Sequence, residues 1–130
     1  MTSRRFAAFC LLAFSVITLG CNRASKRELR DVARLTAGGD AHAGPAAIRK
    51  YGCYACHTIR GVTGARGLVG PPLNGIRERA YIAGEIPNTP DNLMRWIQHP
   101  HVVEPNTIMP EMNVSEQDSR DIAAYLYLLR

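Results

Sequence analysis

The chain has 130 residues, 46% of them hydrophobic, and a formal net charge of +5. This length suits a single domain. Nine basic and nine acidic side chains balance between Asp40 and Arg130, so the excess of positive charge lies before Asp40. Nothing in this distribution indicates binding to nucleic acid.

Residues 1–20 are predicted to be a lipoprotein-like signal peptide. Two arginines precede an apolar run over 6–19, which is too short to span a membrane comfortably in the mature protein. Leu19-Gly20-Cys21 resembles a bacterial lipoprotein signal, although Thr18 stands where such signals usually have leucine. We therefore expect lipidation at Cys21. Cleavage by ordinary signal peptidase and an uncleaved anchor are the alternatives.

Residues 21–39 are predicted to form a basic spacer after Cys21. They carry five basic side chains against two acidic ones. A short helix is possible from Glu28 to Leu35, before Gly38-Gly39 ends it. A basic segment beside an acyl anchor is favoured near anionic headgroups, and a solvated tether explains it equally well. We expect the spacer to hold the domain away from the bilayer.

The domain is predicted to occupy residues 40–130 and to begin with a helix from about Ala43 to Tyr51. Pro45 is tolerated there only because it falls in the first turn, where its missing N–H costs nothing. Gly52 ends this helix directly before the most informative motif of the chain.

That motif is the pentapeptide Cys53-Tyr54-Ala55-Cys56-His57. C-x-x-C-H is the attachment signature of c-type haem. Two thiols three positions apart can reach both vinyl groups on one porphyrin edge. The histidine that follows then lies under the ring, where its imidazole binds the iron. We predict one covalent haem c, attached through Cys53 and Cys56.

Other interpretations of the two cysteines have less support. A thioredoxin-like motif should accompany a βαβ pattern, and the sequence shows none. A structural zinc site needs four ligands, but the other cysteines, Cys10 and Cys21, belong to the N-terminal targeting segment. A disulfide between Cys53 and Cys56, or a haem-free thiol redox protein, remains an alternative.

The segment that follows is predicted to be a long loop. It is rich in glycine and proline: Gly61, Gly64, Gly67, Gly70, Pro71, Pro72 and Gly75. A loop of this length normally argues against a compact domain. A haem accounts for it, because the loop can wrap the ring instead of packing on itself.

Two further helices are predicted. One begins at Thr89-Pro90, a favourable N-cap and first-turn pair, and ends before Pro100. The other begins at Ser115, which forms a capping-box-like pair with Asp118. Apolar residues then recur at helical spacing: Ile122, Tyr125, Leu126 and Leu129. The chain is therefore predicted to be all-α.

From Asp40 to Arg130 the chain resembles class I c-type cytochromes. The order of features matches: a helix, the C-x-x-C-H motif, Gly70-Pro71-Pro72-Leu73, a helix, Met109 and a terminal helix. A closer likeness is to the cytochrome c domains fused to subunit II of haem–copper oxidases, on three stretches: 86–93, Arg95-Trp96-Ile97 and Met109-Pro110. The resemblance implies helices and Gly/Pro-rich loops wrapped around one haem.

The resemblance also implies the iron ligands. Cys53 and Cys56 correspond to the thioether residues and His57 to the proximal ligand. Met109 corresponds to the distal ligand, because Pro105-Asn106-Thr107-Ile108-Met109 resembles the family's Pro-x-Thr-x-Met. Met112 lacks that frame and is the second candidate. Three histidines are further alternatives for the distal position: His42, His99 and His101.

Four residues around the haem are implied in the same way. The carbonyl of Pro71 would accept a hydrogen bond from the far nitrogen of His57, which tunes a ligating histidine. Arg79 and Thr107 would lie near the haem propionates. Trp96 stands where the oxidase branch often has tyrosine, lining the pocket near the distal ligand.

The resemblance implies a single-electron carrier rather than an enzyme. We expect it on the periplasmic side of a bacterial membrane, anchored through Cys21. Its partners would be redox proteins of the membrane or periplasm, ending at a terminal oxidase. The alternatives are an electron-entry subunit of a dehydrogenase or oxidase complex, and a haem-based sensor that exchanges Met109 for a small ligand.

Overall fold

A computed structural model describes residues 24–130; the predicted signal peptide and Cys21 lie outside them. Within this range the chain forms five α-helices: α1 (Lys26–Leu35), α2 (Gly44–Lys50), α3 (Pro90–Gln98), α4 (Pro100–Val103) and α5 (Glu116–Leu126). It also forms short 3₁₀ helices at Cys53–Ala55 and Ile76–Glu78, and strands β1 (Tyr81–Ile82) and β2 (Ile86–Pro87). No helix in 24–130 is both long and apolar enough to cross a membrane.

The capping signals locate the helix starts. The Thr89 hydroxyl accepts a hydrogen bond from the Asn92 amide at 3.2 Å, and Pro90 occupies the first turn of α3. The Ser115 hydroxyl accepts from the Asp118 amide at 3.2 Å. Each bond satisfies an amide that has no partner within its own helix, so α3 and α5 begin where the sequence predicts.

The C-terminal helix α5 is the centre of the core. It contacts α1, α2 and α3, and the fully buried side chains include Ile48 from α2, Leu93 from α3 and Leu126 from α5. Helix α2 crosses α5 at Gly44, where an added Cβ would lie 2.3 Å from the Tyr125 Cβ. Only glycine permits so close an approach of the two helices. The fold is thus mainly helical, as predicted.

Helix α1 differs from the predicted spacer. It packs against α5, and Val32 and Thr36 are 1% and 0% exposed. Leu29 and Val32, three residues apart, give the helix one apolar side to bury, and Glu28 pairs with Arg130 at 3.3 Å. Residues 26–36 therefore pack on the domain, and the helix Lys26–Leu35 lies where the sequence allows a short helix, from Glu28 to Leu35.

The predicted loop between α2 and α3 also contains regular structure. Strands β1 and β2 form a small antiparallel hairpin, with Ile82 opposite Ile86. Its turn places Ala83 and Gly84 at φ +55° and +78°, and the Glu85 amide donates to the Ile82 carbonyl at 3.0 Å. Two positive φ values in succession are typical of a type I′ hairpin turn.

Candidate functional site

A cavity of about 540 Å³ lies between the loops and helix α3, next to the C-terminal end of α2. Its lining is mainly apolar and comes from segments 51–57, 69–83 and 104–112, together with Trp96 of α3. The structure brings all eight predicted cofactor residues to this cavity: Cys53, Cys56, His57, Pro71, Arg79, Trp96, Thr107 and Met109. A volume of this size is in the range of cofactor pockets.

The two cysteines reach the cavity through one tight turn. Gly52, at φ +73°, ends α2 and starts the 3₁₀ helix Cys53–Ala55. The Cys53 carbonyl accepts hydrogen bonds from the amides of Cys56 at 3.3 Å and His57 at 3.0 Å. Both thiols are free, so the structure holds no disulfide between them. Burial raises the pKa of the Cys53 thiol.

The His57 imidazole is held by backbone groups on the opposite loop. Its Nδ1 lies 2.7 Å from the Pro71 carbonyl oxygen. Because a carbonyl only accepts, Nδ1 is the donor of this hydrogen bond, and in a neutral imidazole the lone pair then lies on Nε2. The Gly70 amide donates to the Cys56 carbonyl at 2.9 Å, and an added Cβ on Gly70 would lie 2.3 Å from His57 Cε1. The imidazole therefore packs directly on glycine backbone.

Met109 lies in the segment between α4 and α5. Its amide donates to the Thr107 hydroxyl at 3.1 Å, and the Thr107 amide donates to the Glu104 carbonyl at 3.0 Å. These bonds hold the Pro-x-Thr-x-Met segment against the cavity. Met112 lines the cavity as well and packs partly against the hydrophobic core.

Arg79 reaches the cavity beside the His57 loop, and its guanidinium donates to the Pro72 carbonyl oxygen. The three histidines considered as distal ligands lie elsewhere. His42, His99 and His101 are exposed and are absent from the cavity lining. Nδ1 of His101 lies 3.3 Å from the Pro105 carbonyl oxygen, and Nδ1 of His99 lies 4.0 Å from Oε2 of Glu111. The geometry thus offers His57 and a methionine, rather than two histidines.

The hairpin is the part of the site that sequence reasoning missed. Tyr81, Ile82 and Ala83 line the cavity but fall in the segment predicted to be a loop. The available signal was Tyr81-Ile82, two strand-favouring residues, followed at once by a glycine-containing turn. Each strand has only two residues, which is too short for an alternation of apolar and polar side chains to be recognised.

The residues present fit a covalently attached haem. Two neighbouring thiols, the imidazole of His57 and the thioethers of Met109 and Met112 converge on an apolar cavity, and thiols, imidazole and thioether are the donors of haem attachment and ligation. The described residues hold no cluster of three or more histidine, cysteine or carboxylate side chains suited to a bare metal ion. The arrangement therefore favours haem over a zinc site.

Comparison with known proteins agrees with this chemistry. The family model described as Cytochrome c matches residues 41–129. Cytochrome c oxidase subunit 2 of Alkalihalophilus pseudofirmus is 32% identical over 91 residues, which cover 69% of this chain and 26% of that protein. The chain thus spans about a quarter of the length of that relative. No solved structure matches the chain.

Proposed function

Because this chain belongs to the cytochrome c family, we propose that it carries single electrons through one haem c bound covalently at Cys53 and Cys56. The observation that carries the proposal is the C-x-x-C-H turn beside the apolar cavity, with His57 Nδ1 already bonded to the Pro71 carbonyl. When bound, haem supplies a one-electron Fe(III)/Fe(II) couple.

The chain's own residues fix the chemistry of that couple. The Pro71 carbonyl orients the imidazole of His57 and raises its basicity as a ligand. Met109 would offer its thioether from the other side, and a His/Met pair raises the reduction potential relative to two histidines. His57 and Met109 would then both serve as ligands of the haem iron, so that the protein itself and not a substrate would occupy the iron. The proposed role is therefore transfer of electrons without catalysis by this chain.

Arg79, Thr107 and Trp96 have supporting roles in the proposal. Arg79 is the basic side chain on the cavity lining, and it is suited to a haem propionate. The Thr107 hydroxyl, which accepts from the Met109 amide, retains a proton that it can donate to a propionate. Trp96 closes the apolar wall from α3 and helps to exclude water.

The rim of the cavity supports docking of redox partners. Val69 and Ile108 line the cavity and are 67% and 80% exposed, and Leu68 beside them is 89% exposed. Exposed apolar side chains that cluster at a pocket mouth are typical of protein contact sites. We propose that redox proteins of the membrane or periplasm dock there.

A terminal oxidase is the proposed acceptor, because a relative is a cytochrome c oxidase subunit. The same observation favours a second candidate, in which the chain is the electron-entry subunit of an oxidase or dehydrogenase complex. Extraction in mild detergent separates the two. A carrier migrates alone, whereas a subunit migrates with a larger complex.

We propose that the protein works on the periplasmic side of a bacterial membrane, anchored through a lipid on Cys21. The support is the export-like sequence of residues 1–20 and the attachment motif, both of which belong to exported chains. Mass spectrometry of the mature N-terminus tests this directly, since an acylated Cys21 is heavier than an unmodified one.

The carrier role is tested with the mature full chain. A redox titration should show a reversible one-electron couple, and carbon monoxide should leave the visible spectrum of the reduced protein unchanged at neutral pH. A clear spectral change with carbon monoxide would contradict the proposal. It would mean that carbon monoxide displaces the distal ligand, as a small molecule does in a haem-based sensor.

A further inference from the structure

Helix α1 has two sides of opposite character. The side packed on α5 carries Leu29 and the buried Val32. The other side carries four basic residues within about one quadrant of the helix, at 100° per residue: Lys26, Arg27, Arg30 and Arg34. All four are exposed, and the side chains of Arg27 and Arg34 are 87% and 80% exposed.

Little negative charge offsets this basic face. Asp31 is the acidic residue nearest to it, 4.0 Å from Arg27 and 3.9 Å from Arg34, which is at the limit of an ion pair. Glu28 points to the other side and pairs with Arg130. The remainder of the chain from Asp40 is formally neutral. The net positive charge of the described residues therefore comes from α1.

The basic face is rigidly tied to the domain. Val32 and Thr36 are buried, the Thr36 hydroxyl donates to the Val32 carbonyl at 2.8 Å, and Ser25 caps the helix start. Whatever binds this face therefore also fixes the orientation of the domain. None of the residues that line the cavity belongs to α1, so occupation of the basic face leaves the cavity lining itself free.

The face also lies close in sequence to the apolar segment. Lys26 is the fifth residue after Cys21, and a fully extended chain over those five steps spans roughly 17 Å. If the chain is anchored at or before Cys21, as proposed above, the basic face stays within reach of the membrane surface. Several cations close to an anionic surface are attracted cumulatively.

We propose that the basic face of α1 binds the surface of an anionic phospholipid bilayer and orients the domain on it. Charge complementarity supports a lipid surface, because the four exposed cations follow one another along a single helix face. The proposal goes beyond electron transfer and does not depend on haem.

The test uses the full chain, purified and bound to vesicles of phosphatidylcholine alone or with about a third phosphatidylglycerol. A dicarbonyl reagent labels exposed arginines, and mass spectrometry reads the rate at each residue. Labelling of Arg27, Arg30 and Arg34 should slow by about fivefold or more on the anionic vesicles. This is the effect expected when each arginine makes roughly one contact with a lipid headgroup. Added salt should restore the rate.

Exposed arginines elsewhere in the domain serve as the internal control. Labelling of Arg60, Arg66 and Arg95 should not depend on the lipid. Equal rates on both vesicles at Arg27, Arg30 and Arg34 would overturn the proposal, and so would equal protection of all six residues, which would mean non-specific adsorption. Protection in native membranes but not on anionic vesicles would assign the face to a protein partner and overturn it too.

Two variants of equal charge complete the test. In the variant with Lys26, Arg30 and Arg34 changed to glutamine, the remaining Arg27 should lose its protection on anionic vesicles. In the variant with Arg60, Arg66 and Arg95 changed to glutamine, protection of α1 should persist. Glutamine is a good helix former, and far-ultraviolet circular dichroism confirms that both variants fold.

Discussion

His57 shows how single backbone contacts prepare a ligand. The Pro71 carbonyl fixes the protonated nitrogen of the imidazole at 2.7 Å, and the bare backbone of Gly70 lets the ring lie against the loop. Both contacts are made within the polypeptide and need no cofactor. The orientation of this ring is therefore the most sensitive single feature of the site.

Gly70→Ala should disturb that orientation. The new methyl group would meet Cε1 of His57 at 2.3 Å, and overpacking of this kind costs about 1–3 kcal/mol. We expect a lower melting temperature together with an altered visible spectrum of the haem-bearing protein, because the ring must move.

Gly64→Ala is the matched control. Gly64 has φ +81° and no atom within 4 Å of an added Cβ, so alanine there strains the backbone without touching His57. It should lower the melting temperature and leave the spectrum unchanged. A spectrum unchanged in Gly70→Ala as well would show that the imidazole does not depend on this contact.

The choice of sulfur ligand is the second prediction for a single residue. Met109→Ala should abolish the weak far-red absorbance expected of methionine-ligated ferric haem. Met112→Ala, which removes a side chain from the same cavity and from the edge of the core, should keep that absorbance and lose only stability. The reverse pattern would assign the ligand to Met112.

Between the elements, Asp118 ties the end of α2 to the start of α5. Its Oδ2 accepts hydrogen bonds from Lys50 Nζ at 2.8 Å, the Tyr51 hydroxyl at 2.7 Å and the Ser115 hydroxyl at 2.9 Å. These donors lower the pKa of Asp118 to about 2, with Lys50 contributing most. Tyr51 also lines the cavity, so this cluster joins helix packing to the site.

Asp118→Asn should lower the free energy of unfolding at pH 7 by about 1–2 kcal/mol, the range for hydrogen bonds to a partly exposed charged group. Because the folded pKa lies below the unfolded value of about 3.9, this stabilisation is complete above pH 4. It is lost as the pH falls towards 2, so the two proteins should converge there in denaturant titrations. Glu85→Gln, on the exposed hairpin turn, should match the wild type throughout.

Helix α1 supplies the second result at the scale of elements, because the sequence predicts a spacer there in which a short helix is only possible. Val32→Ala removes two buried methyl groups and should destabilise the protein by about 2 kcal/mol. Leu35→Ala, at a position 44% exposed, should cost much less. If Val32→Ala and Leu35→Ala both left the denaturation midpoint unchanged, α1 would not be packed in solution.

At the scale of the whole molecule, the features that were predicted correctly are those specified by residues close together in the sequence. The spacing of Cys53, Cys56 and His57 and the caps at Thr89 and Ser115 depend on a few neighbouring residues. The structure places them as expected, with every proposed haem contact on one cavity. The roles of those residues in binding haem stay predictions.

The features that were missed depend on distant partners. Val32 is buried only because α5, more than 80 residues later, presents a surface to it, and a short basic segment gives no sign of that surface. The β1–β2 hairpin is too short for strand periodicity and is recognisable mainly from its turn. The sequence thus predicts a possible helix from Glu28 to Leu35 but not its packing on α5.

The proposed electron transfer requires iron porphyrin bonded covalently to Cys53 and Cys56. Mass spectrometry of the full chain, exported and matured with haem-attachment machinery, tests it most directly. We expect one haem mass on the peptide that contains residues 53–57 and no reaction of either thiol with an alkylating reagent. A colourless mature protein whose Cys53 and Cys56 are both alkylated would contradict it.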